Sequence, residues 1–279
     1  SHLYGVHAPG ERCMDAALHA LHYTNLAHGL SVQAIREVAP KVPVGLVLNA
    51  HETLPGSDSA ADTAAAERAH QFHNGVFFDP VFKGEYPAEF LSALGHRMPK
   101  IEEGDLAVIN QKLDWWGLNY YTPMRVADDS TPGAEFPATV NAAPVSDVKT
   151  DIGWEVYASA LKSLVERLYA RYDLPVCYIT ENGACYNMEV EGGEVDDQPR
   201  LDYYAEHLDK VADLIAEGYP MQGYFAWSLM DNFEWAEGYR MRFGLVHVDY
   251  DTQVRTIKKS GKWYRDLALE FPKGNFKAD

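Results

Sequence analysis

The sequence predicts an α/β fold in which buried parallel strands alternate with amphipathic helices. Four short segments, residues 42–50, 115–121, 176–180 and 223–229, are apolar nearly throughout and rich in β-branched or aromatic residues. This composition is typical of strands that are covered on both faces of a parallel sheet. Helical periodicity lies between them, and alternating strands and helices indicate βαβ units.

The helices are predicted from apolar residues that recur at spacings of three and four. Such series begin at Met14, Leu161 and Leu208, and each marks one apolar helix face. The third helix is predicted to stop near Gly218, which a proline follows two residues later. A last helix is predicted over about residues 259–270.

The strand count indicates about half of a barrel. A complete (β/α)8 barrel takes about 250 residues, whereas these 279 residues supply four good strands and long loops. The loops are residues 50–66, 122–152, 183–200 and 230–257, on the face where barrels keep their reactive groups. Because an open half-barrel exposes two sheet edges and an apolar face, we expect an N-terminal half-barrel segment, another polypeptide or self-association to complete it.

Charge and composition exclude several classes of protein. Lys and Arg total 24 against 41 Asp and Glu, a net charge of −17, which disfavours nucleic acid and anionic membranes as partners. No run of residues resembles a membrane span. Six Trp and 17 Tyr suit a surface on which sugar rings stack.

The three cysteines are too few, and odd in number, for a disulfide framework. A reducing compartment, and hence a cytoplasmic location, is therefore expected. The sequence begins with Ser1 rather than Met, which leaves an upstream signal peptide as an alternative.

Glu181 is the first candidate for chemistry. It follows the apolar strand 176–180, and Asn182 and Gly183 turn the chain directly after it. Barrels keep reactive groups at such strand tips. Taken alone, a structural role as a cap or ion-pair partner is equally expected.

A second group of residues favours a functional role for Glu181. Residues 227–239 follow the last strand and bring two Trp and up to three carboxylates to the same barrel face. Glu234 lies between Phe233 and Trp235, an arrangement that accepts sugar hydroxyls while a ring stacks on the sugar.

Two tyrosines, Tyr120 and Tyr121, end the second strand, and one of them is expected to lie in the core. Strand alternation turns Asn119 and Tyr121 to one side of their strand and Tyr120 to the other. A Tyr hydroxyl that donates to a carboxylate keeps it ionised and oriented, as a nucleophilic Glu requires.

Together these segments resemble family 1 glycoside hydrolases, the β-glucosidase family. The matching motifs are Asn-Tyr-Tyr-Thr (119–122), Ile-Thr-Glu-Asn-Gly (179–183), Trp-Ser-Leu-Met-Asp-Asn-Phe-Glu-Trp (227–235) and Glu-Gly-Tyr-x-x-Arg-Phe-Gly-Leu (237–245). Residues 2–10 resemble the family's loop after barrel strand four, and residues 258–264 its last helix. The resemblance implies that residues 1–279 form the C-terminal half of a single (β/α)8 domain and supply strands five to eight.

The resemblance also implies a retaining mechanism, in which Glu181 is the nucleophile and forms a covalent glycosyl-enzyme. Tyr121 matches the tyrosine that orients this nucleophile. The other matches are Asn119 as a polar residue of the pocket, Trp227 as the platform under the sugar, Glu234 as the acceptor of the O4 and O6 hydroxyls, Trp235 as a neighbouring hydroxyl donor, Phe243 as an aromatic near O6, Trp154 as an aromatic on the aglycone side, and His7 near the aglycone.

One motif of the family is absent. The acid/base Glu lies in an Asn-Glu-Pro motif at the end of strand four, and this sequence has no Asn-Glu-Pro. Retaining chemistry needs two carboxyls about 5–5.5 Å apart. Glu52, Glu155 and Glu237 are the spare loop carboxylates, but none matches the motif position. The acid/base is therefore expected from outside this sequence.

Glu234 narrows the substrate class. Members that act on 6-phosphorylated glycosides place small polar and cationic residues in this loop, whereas a Glu repels phosphate. Unphosphorylated β-glycosides are therefore expected.

Two other functions stay open. The missing acid favours a sugar-binding or catalytically inactive half-barrel. A generic α/β enzyme of another class would require Glu181 and Glu234 to lie far apart.

No metal or cofactor is expected. The histidine pairs at 19/22 and 70/73 have no acidic or Cys partner that completes a recognisable site. Cys177 and Cys185 flank Glu181 in sequence, and a buried apolar role is expected for both.

Overall fold

The computed structural model describes residues 2–270. Within them, the helices are α1 (Met14–Val38), α2 (Ala60–His70), α3 (Val76–Phe82), α4 (Ala88–Leu94), α5 (Asp105–Ile109), α6 (Ser159–Arg171), α7 (Gln198–Ala216) and α8 (Lys259–Glu270). The strands are β1 (Gly45–Asn49), β2 (Thr53–Pro55), β3 (Trp115–Asn119), β4 (Met124–Asp128), β5 (Thr139–Asn141), β6 (Val176–Asn182), β7 (Met221–Ala226), β8 (Val246–Val248) and β9 (Arg255–Ile257).

The four strands that the sequence predicts form one parallel sheet, in the order β1-β3-β6-β7. The predicted α/β class is therefore confirmed. The predicted bounds differ at the C-terminal ends, because β6 continues to Asn182 while β7 stops at Ala226. The predicted stop of α7 is correct, since the helix ends at Ala216 and Gly218 has a φ of 92°.

Three of the segments that were predicted as loops contain regular structure. β2, β4 and β5 form a second sheet, in which β2 is parallel to β4 and β4 antiparallel to β5. β8 and β9 pair as an antiparallel ribbon. Most of these strands have three residues, too few for an alternating pattern to show in the sequence.

The described chain divides into two compact units. Unit 1 comprises residues 2–118, 123–145 and 163–177, and unit 2 comprises residues 119–122, 146–162 and 178–270. Unit 1 has an apolar core beneath α1, with Leu18, Val76 and Phe90 buried together. None of the helices in the described residues is long and apolar enough to cross a membrane.

The core of unit 2 combines aromatic packing with a buried ion pair. Tyr203 and Tyr204 of α7 are buried with Leu245. Asp197 and Arg200, at the start of α7, are both completely buried and paired. Arg200 also donates to the carbonyls of residues 184, 186 and 242, and Asp197 accepts from Ser260 at the start of α8. This pair therefore fixes α7 relative to α8 and to the loop after β6.

A buried histidine predicts acid sensitivity. His207 of α7 is completely buried, its Nδ1 contacts the carbonyl of Tyr203 at 2.7 Å, and burial lowers the pKa of His207 to about 4. Between pH 6.5 and 4 the unfolded chain binds a proton here that the folded chain does not. The free energy of unfolding should thus fall on acidification, by about 1.4 kcal/mol per pH unit from this group.

Urea unfolding at several pH values checks this expectation. The variant His207→Gln should have a shallower dependence on pH in this window, while His96→Gln, at an exposed position, should keep the parent slope. Equal slopes for the parent and His207→Gln would contradict it.

Candidate functional site

The ends of neighbouring strands bring Glu181 and Tyr121 together in unit 2. Glu181 is half-buried near the end of β6, and Tyr121 follows β3. The Tyr121 hydroxyl donates a hydrogen bond of 2.6 Å to Glu181 Oε2. Main-chain pairing supports this contact, because the Tyr120 amide donates to the Glu181 carbonyl at 2.9 Å. The carboxylate is therefore held from its side chain and from its backbone.

Tyr121 keeps its proton at any ordinary pH. Burial, and then the hydrogen bond and charge of Glu181, raise the pKa of Tyr121 well above its ordinary value. The charge of Glu234 also raises the pKa of this hydroxyl. Glu181 contacts Tyr121 and Glu234 contacts Trp227, and both rings pack against one apolar cluster, which disfavours the generic enzyme in which the two carboxylates lie far apart.

Aromatic rings line one side of the Tyr121–Glu181 pair. Tyr121 lies 5.4 Å from Trp154 and 6.2 Å from Phe243, measured between ring centroids. Trp154 and Phe243 are 5.9 Å apart. The rings also pack with Trp227 around Cys185 and Met241, so an apolar wall stands beside the carboxylate.

Trp227 joins the site from the end of β7. Its amide donates to the Asn182 carbonyl at 2.8 Å, and its indole Nε1 donates to Glu234 Oε2 at 3.4 Å. An open cavity of about 640 Å³ adjoins it, with Phe233, Tyr239 and Tyr250 in its wall. Neither Glu181 nor Glu234 lines this cavity, so it lies beside the two carboxylates rather than around them.

The loop that carries Glu234 is anchored by Asp231. This carboxylate is buried and accepts from Lys258 Nζ at 2.7 Å and from Arg242 Nη1 at 2.8 Å. Burial alone would raise the pKa of Asp231, but these two cations hold that pKa below its ordinary value. Asp231 is therefore an anchor of this loop, a role that the sequence does not predict.

The remaining predicted residues, Asn119, Trp235 and His7, differ in their exposure and contacts. Asn119 Oδ1 accepts from the Thr180 hydroxyl at 2.7 Å, within unit 2. Trp235 is 71% exposed at the start of a short 3-10 turn. His7 is exposed and belongs to unit 1, so its position near an aglycone stays a prediction.

The spare carboxylates have local partners. Glu52, in unit 1, is paired with Arg167 at 3.0 Å, and burial raises its pKa to about 7 against the charge of that arginine. Glu155 accepts from the Ser146 amide at 2.9 Å, and Glu237 pairs with Arg240. Each of the three carboxylates therefore has a partner within its own unit.

The histidine pairs also have non-metal partners. His22 contacts the Tyr86 hydroxyl at 3.0 Å and Asp105 at 3.2 Å, and His70 contacts the Asn74 amide at 3.0 Å. Within residues 2–270, no three His, Cys, Asp or Glu side chains are grouped to hold a metal ion.

Sequence reasoning missed a set of buried polar groups behind the site. Asn182, Tyr203, Tyr204 and Tyr224 form hydrogen bonds with one another or with the strand ends. The available signal was a helical series, Arg200, Tyr203, Tyr204 and His207, in which polar groups recur on the buried face of α7.

Comparison with known proteins identifies one family. The model of glycosyl hydrolase family 1 matches residues 1–271. The chain is 78% identical over 275 residues to a beta-glucosidase of Agrobacterium sp., covering 99% of this chain and 60% of that protein. It is 41% identical over 268 residues to beta-glucosidase A of Thermotoga maritima, covering 95% of this chain and 59% of that protein.

Solved structures agree with this result. Virulence factor SghA from Agrobacterium tumefaciens has a TM-score of 0.96 and 78% identity, covering 98% of this chain and 61% of SghA. A complex of SghA with its substrate analog salicin matches with the same score and identity. The chain thus spans about 60% of the length of these relatives.

A glycine behind the carboxylate gives a stability prediction. A Cβ on Gly183 would lie 1.9 Å from the Trp227 carbonyl oxygen, which is main chain and cannot rotate away. We expect Gly183→Ala to destabilise unit 2 by about 2 kcal/mol or more. In contrast, a Cβ on Gly95 would meet only side-chain atoms at 3.7 Å or beyond.

Thermal unfolding of Gly183→Ala, Gly95→Ala and the parent measures the difference. The expected result is a lower Tm for the first variant and a Tm near that of the parent for the second. If both variants unfolded at the same temperature, the close approach of Trp227 to Gly183 would be wrong.

Proposed function

Because the chain belongs to glycosyl hydrolase family 1, we propose that it is the C-terminal half of a retaining β-glucosidase domain. In this proposal residues 1–279 start in the loop after barrel strand four and supply strands five to eight of a (β/α)8 barrel. β1, β3, β6 and β7 are then those strands. The hydrogen bond between Tyr121 and Glu181 is the observation that carries the proposal.

Glu181 is the nucleophile in this reaction. One of its oxygens attacks the anomeric carbon of a β-glycoside, the bond to the leaving-group oxygen breaks, and a covalent glycosyl-enzyme forms. Water then attacks the same carbon and releases the carboxylate. Tyr121 is a protonated donor, so it orients the ionised carboxylate for the attack.

The surrounding groups bind the sugar. Trp227 is the platform under the ring, and Glu234, which its indole contacts, accepts the O4 and O6 hydroxyls. The other proposed contacts are Asn119 as a polar group of the pocket, Trp235 as a hydroxyl donor, Phe243 near O6, and Trp154 on the aglycone side, with His7 farther along that side.

Unphosphorylated β-glucosides are the proposed substrates. Glu234 supplies a negative charge where a 6-phosphate would bind, and like charges repel. The likeness to SghA, whose substrate analog is salicin, supports an aryl glucoside as a member of this class. The free cysteines 13, 177 and 185 suit a cytoplasmic location.

The acid/base carboxyl is proposed to come from a segment outside this sequence, in the same or another polypeptide. The chain spans about 60% of its relatives, and Glu52, Glu155 and Glu237 have other partners. Val47 on β1 is 40% exposed and Phe225 on β7 57% exposed, and exposed apolar groups on outer strands are surfaces that another strand or helix normally covers.

Covalent trapping tests the nucleophile. The reagent 2,4-dinitrophenyl 2-deoxy-2-fluoro-β-glucoside needs little acid help because its leaving group is a stabilised anion. We expect it to add one fluoroglycosyl group to Glu181, identified by mass spectrometry of peptides, while Glu181→Gln stays unlabelled. A folded chain without label on Glu181 would support the alternative, a sugar-binding or inactive half-barrel.

The variant Tyr121→Phe tests the orienting group. It keeps the ring contacts but removes the donor to a charged acceptor, a hydrogen bond of about 1.5–3 kcal/mol. The rate of trapping should therefore fall about tenfold to a hundredfold. Tyr264→Phe, also in unit 2, whose hydroxyl donates to the main-chain carbonyl of Tyr224 at 3.1 Å, is the control. An unchanged rate in Tyr121→Phe would contradict the orienting role.

A chimera tests the missing acid. The part of the Agrobacterium beta-glucosidase that this chain does not cover is joined ahead of residue 1, and hydrolysis of an alkyl β-glucoside is followed. Since a positioned acid contributes about 10²–10⁴ in rate, the chimera should exceed the chain alone by at least about a hundredfold. Glu181→Gln should abolish this activity. If the chain alone hydrolysed this substrate as fast as an active chimera, the need for an outside acid would be contradicted.

A further inference from the structure

Two adjacent tyrosines of α7 reach the backbone of the site from behind. Tyr203 and Tyr204 are both buried. The Tyr203 hydroxyl donates to the main-chain carbonyl of Tyr121 at 2.9 Å, and the Tyr204 hydroxyl donates to that of Trp227 at 3.1 Å. One helix thus contacts the residues that flank Glu181 on both neighbouring strand ends.

Asn182 links Tyr203 to the nucleophile's own strand. It follows Glu181 directly and is completely buried. Its Nδ2 donates to the Tyr203 hydroxyl at 2.9 Å and to the Tyr120 carbonyl at 2.8 Å, while its Oδ1 accepts from the Tyr224 hydroxyl at 2.5 Å. Both amide hydrogens and the carbonyl oxygen of the Asn182 side chain therefore form hydrogen bonds, and these three bonds together fix its orientation.

The Tyr203 hydroxyl closes a loop of contacts around the Tyr121–Glu181 hydrogen bond. It accepts from the residue after Glu181 and donates to the carbonyl of Tyr121 itself. The Tyr203 ring is fixed in turn by His207, which stacks on it at 3.9 Å. A shift of this hydroxyl would thus move both partners of the 2.6 Å bond relative to each other.

We propose that Tyr203 is a positioning residue that sets the geometry of the Tyr121–Glu181 hydrogen bond, an inference that rests on the proposed role of Glu181 as nucleophile. Tyr203 touches no reacting atom. Without its hydroxyl, the Asn182 amide and the Tyr121 carbonyl each lose a buried partner. The end of β3 then relaxes, and the donor to Glu181 leaves its optimal distance and direction.

A purely structural role is the competing explanation, and Tyr169 provides the matched control. Its hydroxyl also makes one accepted and one donated hydrogen bond, from Trp116 Nε1 at 3.2 Å and to the Pro175 carbonyl at 2.8 Å. Pro175 directly precedes β6. Tyr169 thus supports the opposite end of the strand that carries Glu181, and Tyr169→Phe loses the same kinds of contact as Tyr203→Phe.

Trapping kinetics on the 279-residue chain provide the first readout. With the 2-fluoroglucoside above, Tyr203→Phe should lower the limiting rate of labelling about tenfold, while the concentration for half-maximal rate changes less than about twofold. Tyr169→Phe should lower the Tm without lowering the limiting rate. A fall in Tm alone for Tyr203→Phe, with the parent rate retained, would overturn the positioning role.

A crystal structure of each variant chain provides a readout that is independent of activity. In Tyr203→Phe the distance between Tyr121 Oη and Glu181 Oε2 should lengthen beyond about 3.2 Å, and in Tyr169→Phe it should stay close to the parent value. If the parent chain itself is not labelled, the proposed function fails, and this distance alone decides the positioning inference. An unchanged distance in Tyr203→Phe would overturn it.

Discussion

The site depends on the main-chain hydrogen bonds that join three strand ends. The Tyr120 amide bonds to the Glu181 carbonyl, and the Trp227 amide bonds to the Asn182 carbonyl. These two contacts continue the pairing of β3, β6 and β7 to the edge of the sheet, where parallel strands present their last side chains together. The hydrogen bond from Tyr121 to Glu181 and the position of Trp227 both follow from this edge. Gly183 is part of the same constraint, because a side chain there would occupy the space of the Trp227 carbonyl.

Buried charges hold the loops that follow these strands. Asp197 and Arg200 tie α7 to the segment after β6, and Asp231 ties residues 228–234 to Lys258 and Arg242. Buried ions are costly unless each is paired and hydrogen-bonded, and both carboxylates here accept several donors. Such pairs add little net stability, but they have strict geometry. Their effect here is to fix loops that would otherwise have many conformations, so that the residues of the candidate site keep their positions.

The main sheet could be predicted from the sequence, because its strands have strong local signals. The contact between Tyr121 and Glu181 was implied by the family resemblance of the motifs at 119–122 and 179–183, since strand alternation alone does not say which ring reaches Glu181. The apolar segments at 176–180 and 115–121 gave two neighbouring strands, and alternation placed Tyr121 on the side opposite to Tyr120. The short strands β2, β8 and β9 had no such signal, since three residues cannot show a period. The anchoring role of Asp231 could not be predicted, because its partner Lys258 lies 27 residues away in sequence. In the sequence, Tyr203 and Tyr204 are indistinguishable from ordinary core residues on the apolar face of a helix. Only the fold shows which carbonyls their hydroxyls reach.

In the proposed mechanism Glu181 is the reacting carboxylate, Trp227 the sugar platform and Glu234 the acceptor of sugar hydroxyls. The most direct measurement is a crystal structure of the chain after reaction with the fluoroglucoside. We expect a bond between the anomeric carbon and a Glu181 oxygen, the sugar ring stacked on Trp227, and the O4 and O6 atoms of the sugar within hydrogen-bond distance of Glu234. A sugar bound to another residue, or attached to Glu181 but turned away from Trp227 and Glu234, would contradict this mechanism.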